Sequence, residues 1–143
     1  MPGKFMQFYG ATEAGGAFSI LRPDEHDLED EAKLQSCGRP LPLIAFRIVD
    51  AAGNDVPEGE PGELIVRAPA ITPGYWKQPE ATAKVLQHGW YRTGDVARRD
   101  AEGLYYIVDR VKDMIVSGGE NIYSAEVENA LSTHPDVAQV AVI

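Results

Sequence analysis

The chain has 143 residues, of which 44% are hydrophobic and 24% charged, and its formal net charge at neutral pH is −9. This length suits one compact unit with part of a second. No apolar stretch approaches the roughly 18 residues that a membrane-spanning helix needs. The acidic balance argues against a nucleic-acid partner, because phosphate backbones are bound by basic surfaces. The N-terminus lacks the order of a signal peptide, so a cytoplasmic location is expected.

The N-terminal third is predicted to contain one strand and one acidic loop. The apolar residues 5–9 indicate a buried strand that Gly10 ends. The block of like charge at residues 24–31, around His26, is typical of a solvated loop, and it lacks the glycine turn and terminal glutamate of a calcium site. The single cysteine, Cys37, excludes an internal disulfide and is interpreted as a small packing residue.

The middle of the chain is predicted to be β-rich. Residues 43–49 and 63–67 have the pattern of two strands, and the turn at residues 50–54 lies between them, so a hairpin is expected. Residues 90–96 and 104–108 are predicted to be two more strands, and the polar turn at residues 98–103 lies between them.

Two helices and a last strand are also predicted. The first helix, residues 79–86, begins with a proline and is followed by a glycine. The second, residues 124–133, has Ser124 as a candidate N-cap, glutamates in its first turn and one apolar face. Residues 137–143 alternate as a strand does and continue to the last residue. A strand in that position is expected to have its partner elsewhere in a longer protein.

Four motifs in a fixed order carry the functional information. They are Tyr-Gly-Ala-Thr-Glu at 9–13, Gly-Trp-Tyr-Arg-Thr-Gly-Asp at 89–95, Asp-Arg-Val-Lys-Asp at 109–113 and Ser-Gly-Gly-Glu-Asn at 117–121. Together they resemble the second half of an AMP-forming acyl-CoA synthetase of the adenylate-forming superfamily. Such enzymes carry a phosphate-gripping loop upstream and a lysine in a Gly-Lys motif downstream, and neither is present here. The chain is therefore expected to be an internal piece of an enzyme and to be inactive alone.

The resemblance implies a mixed α/β, β-rich fold in two parts. Residues 1–108 would close the N-terminal domain, largely as a distorted β-barrel subdomain. Residues 109–112 would form a hinge, and residues 113–143 the truncated start of a small α+β C-terminal domain. Lys112 occupies the family's hinge position, where some relatives have aspartate. An exposed lysine tolerates changed backbone angles while its side chain stays in water.

The implied reaction has two halves. A carboxylic acid attacks the α-phosphorus of ATP to give acyl-AMP and pyrophosphate, and the thiol of coenzyme A then attacks the acyl carbon. In this scheme Glu13 would hold the Mg²⁺ that bridges phosphate oxygens, and Thr12 would donate its hydroxyl to a phosphate. Tyr9 would lie against the adenine ring, and Gly10 would let the backbone turn closely there.

Asp95 is the leading candidate for a nucleotide contact. An ionised carboxylate accepts hydrogen bonds from both vicinal hydroxyls of a ribose at once. The planar guanidinium of Arg110 would donate hydrogen bonds to the ribose or a phosphate. Arg92 is expected to support the loop that carries Asp95 and not to contact the ligand. Gly118 and Gly119 resemble the loop that reaches the active site in the thioester-forming state, where two missing Cβ atoms would leave room for the pantetheine arm.

The substrate class is only partly indicated. Residues 117–123 are similar to fatty and aryl acyl-CoA synthetases rather than to peptide-synthetase adenylation domains, and a fatty acid is the favoured substrate. Tyr75 and Trp76, in a segment that also matches the family, are interpreted as packing residues. Two alternatives stay open: an amino-acid-activating or oxidative relative, and a non-catalytic nucleotide-binding or interaction module.

Overall fold

The computed structural model describes residues 5–142, which form ten strands, three α-helices and two 3₁₀ turns. The strands are β1 Gln7–Ala11, β2 Gly16–Leu21, β3 Arg39–Pro40, β4 Ala45–Val49, β5 Gly62–Arg67, β6 Leu86–Gln87, β7 Trp90–Arg99, β8 Tyr105–Arg110, β9 Ile115–Ser117 and β10 Glu120–Ile122. The helices are α1 Glu31–Leu34, α2 Pro79–Val85 and α3 Ser124–Ser132, and the 3₁₀ turns are Thr12–Ala14 and Pro23–Glu25.

Two antiparallel sheets make up most of the molecule. One has the order β1-β2-β3, and the other has the order β4-β5-β7-β6 with β8 also paired to β7. A bridge between Gly38 and Tyr105 joins them. There the Cys37 N–H donates to the Tyr105 carbonyl at 2.8 Å, and the Tyr105 N–H donates to the Gly38 carbonyl at 3.0 Å. The sheets curl into a half-barrel, which confirms the predicted β-rich fold.

The core fills the inside of this curl. Its buried members are Ala14, Phe18, Cys37, Leu64, Val66, Tyr91, Ala97 and Tyr105. The Phe18 ring packs against Tyr9, Phe46 and Tyr91 with centroid separations of 5.8, 6.3 and 6.2 Å, in the tilted or edge-on geometries that aromatic rings prefer. Burial of one such large side chain contributes about 1.5–3 kcal/mol. Cys37 is one of the buried core residues, and burial raises the pKa of its thiol.

Both predicted hairpins are present. β4 pairs with β5, with Phe46 opposite Val66, and β7 pairs with β8, with Arg99 opposite Tyr105. β4 begins two residues later than predicted. The cause is Leu43, whose φ of 69° is left-handed and cannot belong to a strand.

The two predicted helices also form, but one cap differs. α3 begins after Tyr123, so Ser124 is its first residue and not its N-cap. The Ser124 hydroxyl donates to the two carboxylate oxygens of Asp109 at 3.2 and 3.0 Å. Burial alone would raise the pKa of Asp109, yet hydrogen bonds from the Arg110 backbone and from Ser124 lower it overall. The start of α3 is therefore fastened to the end of β8.

Two predictions near the chain ends are wrong. β1 is exposed on one face rather than buried. Phe8 is 57% exposed, and Phe5 and Met6 just before the strand are 80 and 49% exposed, since no layer of the described chain covers this face; Tyr9 and Ala11 pack against the core. Residues 137–142 form no strand, because no neighbouring strand of the described chain pairs with them, and the Val142 N–H donates to the Glu128 carboxylate instead. Ile143 lies outside the described residues.

The acidic segment is more ordered than a plain loop. The Asp30 carboxylate accepts a hydrogen bond from the Lys33 N–H at the start of α1. Glu25 pairs with Arg39 and Lys33 with Glu102, each at 3.0 Å. Nowhere in residues 5–142 do three or more His, Cys, Asp or Glu side chains gather as metal ligands. Each of the helices in that range is too short or too polar to cross a bilayer.

The bridge between the sheets can be tested with a matched pair of glycines. Gly38 and Gly53 both have left-handed φ, at 81° and 86°. A Cβ on Gly38 would lie 1.9 Å from the Ile20 carbonyl oxygen, whereas a Cβ on Gly53 would meet nothing within 4 Å. We expect Gly53→Ala to cost about 1–2 kcal/mol for its backbone conformation alone. Gly38→Ala should cost more than about 4 kcal/mol, or prevent folding. Urea unfolding measures both, and equal costs would show that the bridge is not closely packed.

Candidate functional site

A cavity of about 580 Å³ opens between the turn after β1, the middle of β7 and the end of β8. Five of the predicted ligand-binding residues line it: Gly10, Thr12, Glu13, Asp95 and Arg110. Tyr9 joins them through its hydroxyl, which donates to Asp95. Three of the four sequence motifs therefore contribute to one cavity, although they are far apart along the chain.

An irregularity in β7 creates part of this cavity. Arg92 and Val96 are four residues apart on β7, but they lie opposite Ile65 and Glu63, which are only two apart on β5. The extra residues form a bulge, a feature that commonly redirects a side chain. Gly94 at its centre has φ 74°, a conformation that costs glycine little.

The Thr93 hydroxyl replaces the hydrogen bonds that the bulge interrupts. It donates to the Leu64 carbonyl of β5 at 2.7 Å and accepts a hydrogen bond from the Asp95 N–H at 3.0 Å. A single side chain thus satisfies a carbonyl and an N–H that a regular ladder would have paired. The position of Asp95 depends on this arrangement.

The Asp95 carboxylate has one half-buried partner and one exposed partner. The Tyr9 hydroxyl donates to Oδ2 at 2.6 Å, and Arg110 Nε lies 3.1 Å from Oδ1. Burial, and then the bond to Asp95, raises the pKa of Tyr9, so its phenol stays a donor at neutral pH. Asp95 is only 8% exposed, whereas the Arg110 side chain is 62% exposed. The tyrosine fixes the carboxylate, and the arginine can exchange it for another partner.

Glu13 lies on the 3₁₀ turn that follows β1. The Tyr75 hydroxyl donates to its Oε1 at 2.7 Å, and the Thr72 N–H donates to its backbone carbonyl at 2.7 Å. The bond from Tyr75 lowers the pKa of Glu13, so the carboxylate is ionised at neutral pH. An ionised carboxylate oxygen is a suitable ligand for Mg²⁺, which usually takes one or two protein carboxylates and completes its shell with phosphate and water. Glu13 therefore fits such an ion as one ligand.

The cavity is electrostatically balanced. Three carboxylates and three cations line it: Glu13, Glu63, Asp95, Lys84, Arg92 and Arg110. Its formal charge is zero, whereas the whole chain carries −9. Arg92 is occupied by an ion pair with Glu63, which leaves it a supporting role in the wall. An anionic ligand meets less repulsion here than the charge of the chain suggests.

The remaining predicted site residues lie outside the cavity. Lys112 is exposed in the turn after β8, with its Nζ 3.8 Å from the Asp113 carboxylate. Gly118 and Gly119 form the two-residue turn of the β9–β10 hairpin, with φ of 62° and 90°. Such turns require positive φ at both positions, so local geometry alone accounts for both glycines. Their role toward coenzyme A stays a prediction.

Several residues of the site could not be assigned from the sequence, among them Tyr75, Tyr91 and Thr93. Tyr75 is predicted to be a packing residue, but its hydroxyl donates a hydrogen bond to Glu13. Trp76 is also predicted to be a packing residue, but it is 85% exposed. Tyr91 lines the cavity, and its pKa is raised by burial and by the charge of Glu13. Thr93 holds the bulge. A glycine inside a strand pattern, Gly94, was the available signal for that bulge. Tyr75 gives no local signal, because its partner is 62 residues away.

Comparison with known proteins gives a consistent family assignment. The profile of the family described as AMP-binding enzyme matches residues 1–76. A medium/long-chain-fatty-acid–CoA ligase of Mycobacterium tuberculosis is 46% identical over 97% of this chain and 24% of the ligase. A feruloyl-CoA synthase of an Amycolatopsis species is 48% identical over 97% of this chain and 28% of that enzyme. The chain thus spans about a quarter of the length of these curated relatives.

Solved structures agree with these matches. The amide bond synthetase McbA from Marinactinospora thermotolerans superposes with a TM-score of 0.86 and 42% identity, covering 100% of this chain and 29% of McbA. The O-succinylbenzoate coenzyme A synthetase of Bacillus subtilis, solved with ATP and a magnesium ion, gives a TM-score of 0.80 and 39% identity, covering 94% of this chain and 27% of that enzyme.

The role of Thr93 can be separated from its size. Thr93→Val keeps the shape but removes the hydroxyl, so the Leu64 carbonyl and the Asp95 N–H lose their partner. We expect a loss of about 1–3 kcal/mol in the free energy of unfolding. Thr93→Ser retains the hydroxyl and should stay within about 1 kcal/mol of the native protein. If both variants unfold at the same urea concentration, the bulge is held by something other than this hydroxyl.

Proposed function

This chain belongs to the family of AMP-binding enzymes, and from that premise we propose that it is a segment of an acyl-CoA synthetase. The enzyme would join a carboxylic acid to ATP, giving acyl-AMP and pyrophosphate, and then transfer the acyl group to coenzyme A. The observation that carries the proposal is the buried Asp95 carboxylate, held by Tyr9 and Arg110 in one cavity with the ionised Glu13. An enzyme that draws on ATP and coenzyme A is proposed to work in the cytoplasm.

The cavity supports nucleotide binding through Asp95. A ribose would place its two hydroxyls as donors to the carboxylate, which stays hydrogen-bonded to Tyr9. Arg110, which is exposed at the end of β8, would turn its guanidinium toward the ribose or a phosphate. The Tyr9 ring packs on Phe18 with a centroid separation of 5.8 Å. In this proposal the adenine ring would lie against Tyr9, next to the turn at Gly10.

The other end of the cavity would hold the phosphates. Mg²⁺, when bound, would neutralise phosphate charge. Glu13 is the carboxylate that this chain would offer it, and the exposed Thr12 hydroxyl beside it would donate to a phosphate oxygen. The cavity wall carries as many cations as carboxylates, so an anionic substrate would meet no net negative charge there.

The acid itself is proposed by comparison. A fatty acid is favoured because the Mycobacterium relative, at 46% identity, is named for medium- and long-chain fatty acids. An aryl acid is the competing substrate, because the feruloyl-CoA synthase is 48% identical. A second candidate function, acyl transfer to an amine, is favoured by the similarity to the amide bond synthetase. It shares the adenylation half and differs only in the attacking nucleophile.

The domain arrangement is part of the proposal. Residues up to 108 would belong to the N-terminal domain and residues from 113 onward to the C-terminal domain, with a hinge at 109–112. Within the described chain the Lys112 N–H donates to no other residue, whereas the Val111 N–H donates to the Gly94 carbonyl at 2.9 Å. The tip of the β9–β10 hairpin, with Gly118 and Gly119, would rotate toward the pantetheine of coenzyme A.

Replacing Asp95 tests the nucleotide site. In the full-length enzyme Asp95→Asn keeps the size of the side chain but removes its charge and one acceptor oxygen. We expect AMP affinity to fall by about tenfold to a hundredfold, for a loss of about 1.5–3 kcal/mol. Isothermal titration calorimetry measures this. Asp100→Asn is the matched control, because Asp100 binds Tyr106 and does not line the cavity. An unchanged AMP affinity in a folded Asp95→Asn enzyme would contradict the proposal.

Replacing Lys112 tests the hinge. Lys112→Pro removes no backbone hydrogen bond of the described chain, but it fixes φ near −65° and restricts Val111. We expect one half reaction to fall at least about tenfold, a barrier change near 1.4 kcal/mol, while the other survives. Pyrophosphate exchange reports the first half, and CoA capture of supplied acyl-AMP reports the second. Lys112→Ala should leave both rates close to native. Equal losses in the proline variant would make Lys112 an ordinary linker residue.

A further inference from the structure

Residues 72–75 lie in the connection between β5 and α2 and make two hydrogen bonds to Glu13, the candidate metal ligand. The Thr72 N–H donates to the backbone carbonyl of Glu13 at 2.7 Å. The Tyr75 hydroxyl donates to Oε1 of the same residue at 2.7 Å. The first bond fixes the turn that carries Glu13, and the second fixes its carboxylate. One short segment therefore controls both the place and the direction of this side chain.

The segment is itself held by α2. The Tyr75 N–H donates to the Thr82 hydroxyl at 2.9 Å, and that hydroxyl donates to the Gln78 carbonyl at 2.8 Å. Gly74 passes so close to this helix that a Cβ would lie 2.7 Å from Thr82 Cγ2. The backbone of Tyr75 thus has a fixed distance from α2. The contact between Tyr75 and Glu13 is built into the packing of the helix.

Glu13 needs such a partner because its turn is near the surface. A glutamate side chain has three rotatable bonds, and confining one to a single arrangement costs about 1.5–2 kcal/mol. The hydrogen bond from Tyr75 supplies this ordering before any ligand arrives. The hydrogen bond is made to Oε1 of the carboxylate. Since the phenol is neutral, the charge of the carboxylate is left intact.

We infer that Tyr75 is a positioning residue for the metal-binding carboxylate of Glu13: it holds Oε1, and so keeps the carboxylate at the cavity, where a divalent cation would bind. The inference rests on the proposed function, which supplies the cation together with the nucleotide phosphates. It gives a role to the Gly74–Tyr75 motif and to Thr82, which anchors that motif on α2. Tyr75, which also lines the cavity, would act on the metal through Glu13.

The test is Tyr75→Phe in the full-length enzyme, with Mn²⁺ and a non-hydrolysable ATP analogue as probes. Electron paramagnetic resonance of free Mn²⁺ gives the metal affinity of the enzyme–nucleotide complex. We expect it to weaken by about threefold to tenfold, which corresponds to one hydrogen bond. AMP affinity without metal should not change. The Mg²⁺ concentration for half-maximal pyrophosphate exchange should rise by the same factor, while the rate at saturating Mg²⁺ is retained.

Two further variants separate positioning from general damage. Tyr106→Phe removes a similar phenol–carboxylate bond, to Asp100 at 2.9 Å, outside the cavity, and should leave the metal affinity unchanged. In an enzyme that already carries Glu13→Gln, Tyr75→Phe should add no further loss, because both changes act on one ligand. The melting temperature of each variant shows whether it is folded. If Tyr75→Phe is less stable, this cycle still tests whether Tyr75 acts on the metal through Glu13.

The outcomes distinguish this inference from the proposed function. A native enzyme that binds the nucleotide without any dependence on Mn²⁺ would overturn the assignment of Glu13 and the proposal beneath it. A native enzyme with metal-dependent binding and an unchanged Tyr75→Phe variant would overturn the positioning role alone. Tighter Mn²⁺ binding in Tyr75→Phe would also overturn it, because the phenol would then be holding the carboxylate away from the metal.

Discussion

The bulge in β7 is the constraint on which the rest of the site depends. On one side β7 pairs with β5 along most of its length, and on the other it pairs first with β6 and then with β8. The change of partner occurs between Tyr91 and Asp95, the stretch that contains Gly94. Toward β5, an uninterrupted ladder would have paired the backbone of residues 93–95 as well. Because the Thr93 hydroxyl satisfies the Leu64 carbonyl instead, the strand can turn there, and a cavity opens where the ladder is interrupted.

Two different kinds of partner hold the carboxylates of this cavity. Glu63 is paired with Arg92, and that pair neutralises its charge within the wall. Asp95 and Glu13 are held by the phenols of Tyr9 and Tyr75, which are neutral donors. A phenol fixes the direction of a carboxylate without cancelling its charge, so the charge remains available to a ligand. The exposed pair between Arg110 and Asp95 adds little stability and is easily exchanged.

The sequence predicted the elements whose signals are local, together with the residues that the family motifs mark. Alternation and turn residues gave both hairpins, and the motifs gave Glu13, Asp95 and Arg110, which the structure brings into one cavity. Tyr75 could not be found this way, since its role depends on a contact across 62 residues. The alternation at residues 137–142 shows which side chains share a face, but it does not show whether a neighbouring strand is present. In the same way, the apolar residues of β1 do not show whether another layer covers them.

The proposed nucleotide site and the proposed hinge are adjacent along the chain. Arg110, which contacts Asp95, is the last residue of β8, and the next N–H, that of Val111, donates to the carbonyl of Gly94 in the bulge. The chain is therefore tied to β7 up to Val111. Beyond it the Asp113 N–H donates back to the Arg110 carbonyl, closing a single turn. Lys112 is the residue between these two attachments. A rotation there would keep the bond between Val111 and the bulge, but it would break the bonds that the Asp113 N–H makes to the Arg110 carbonyl and that Ser124 makes to Asp109.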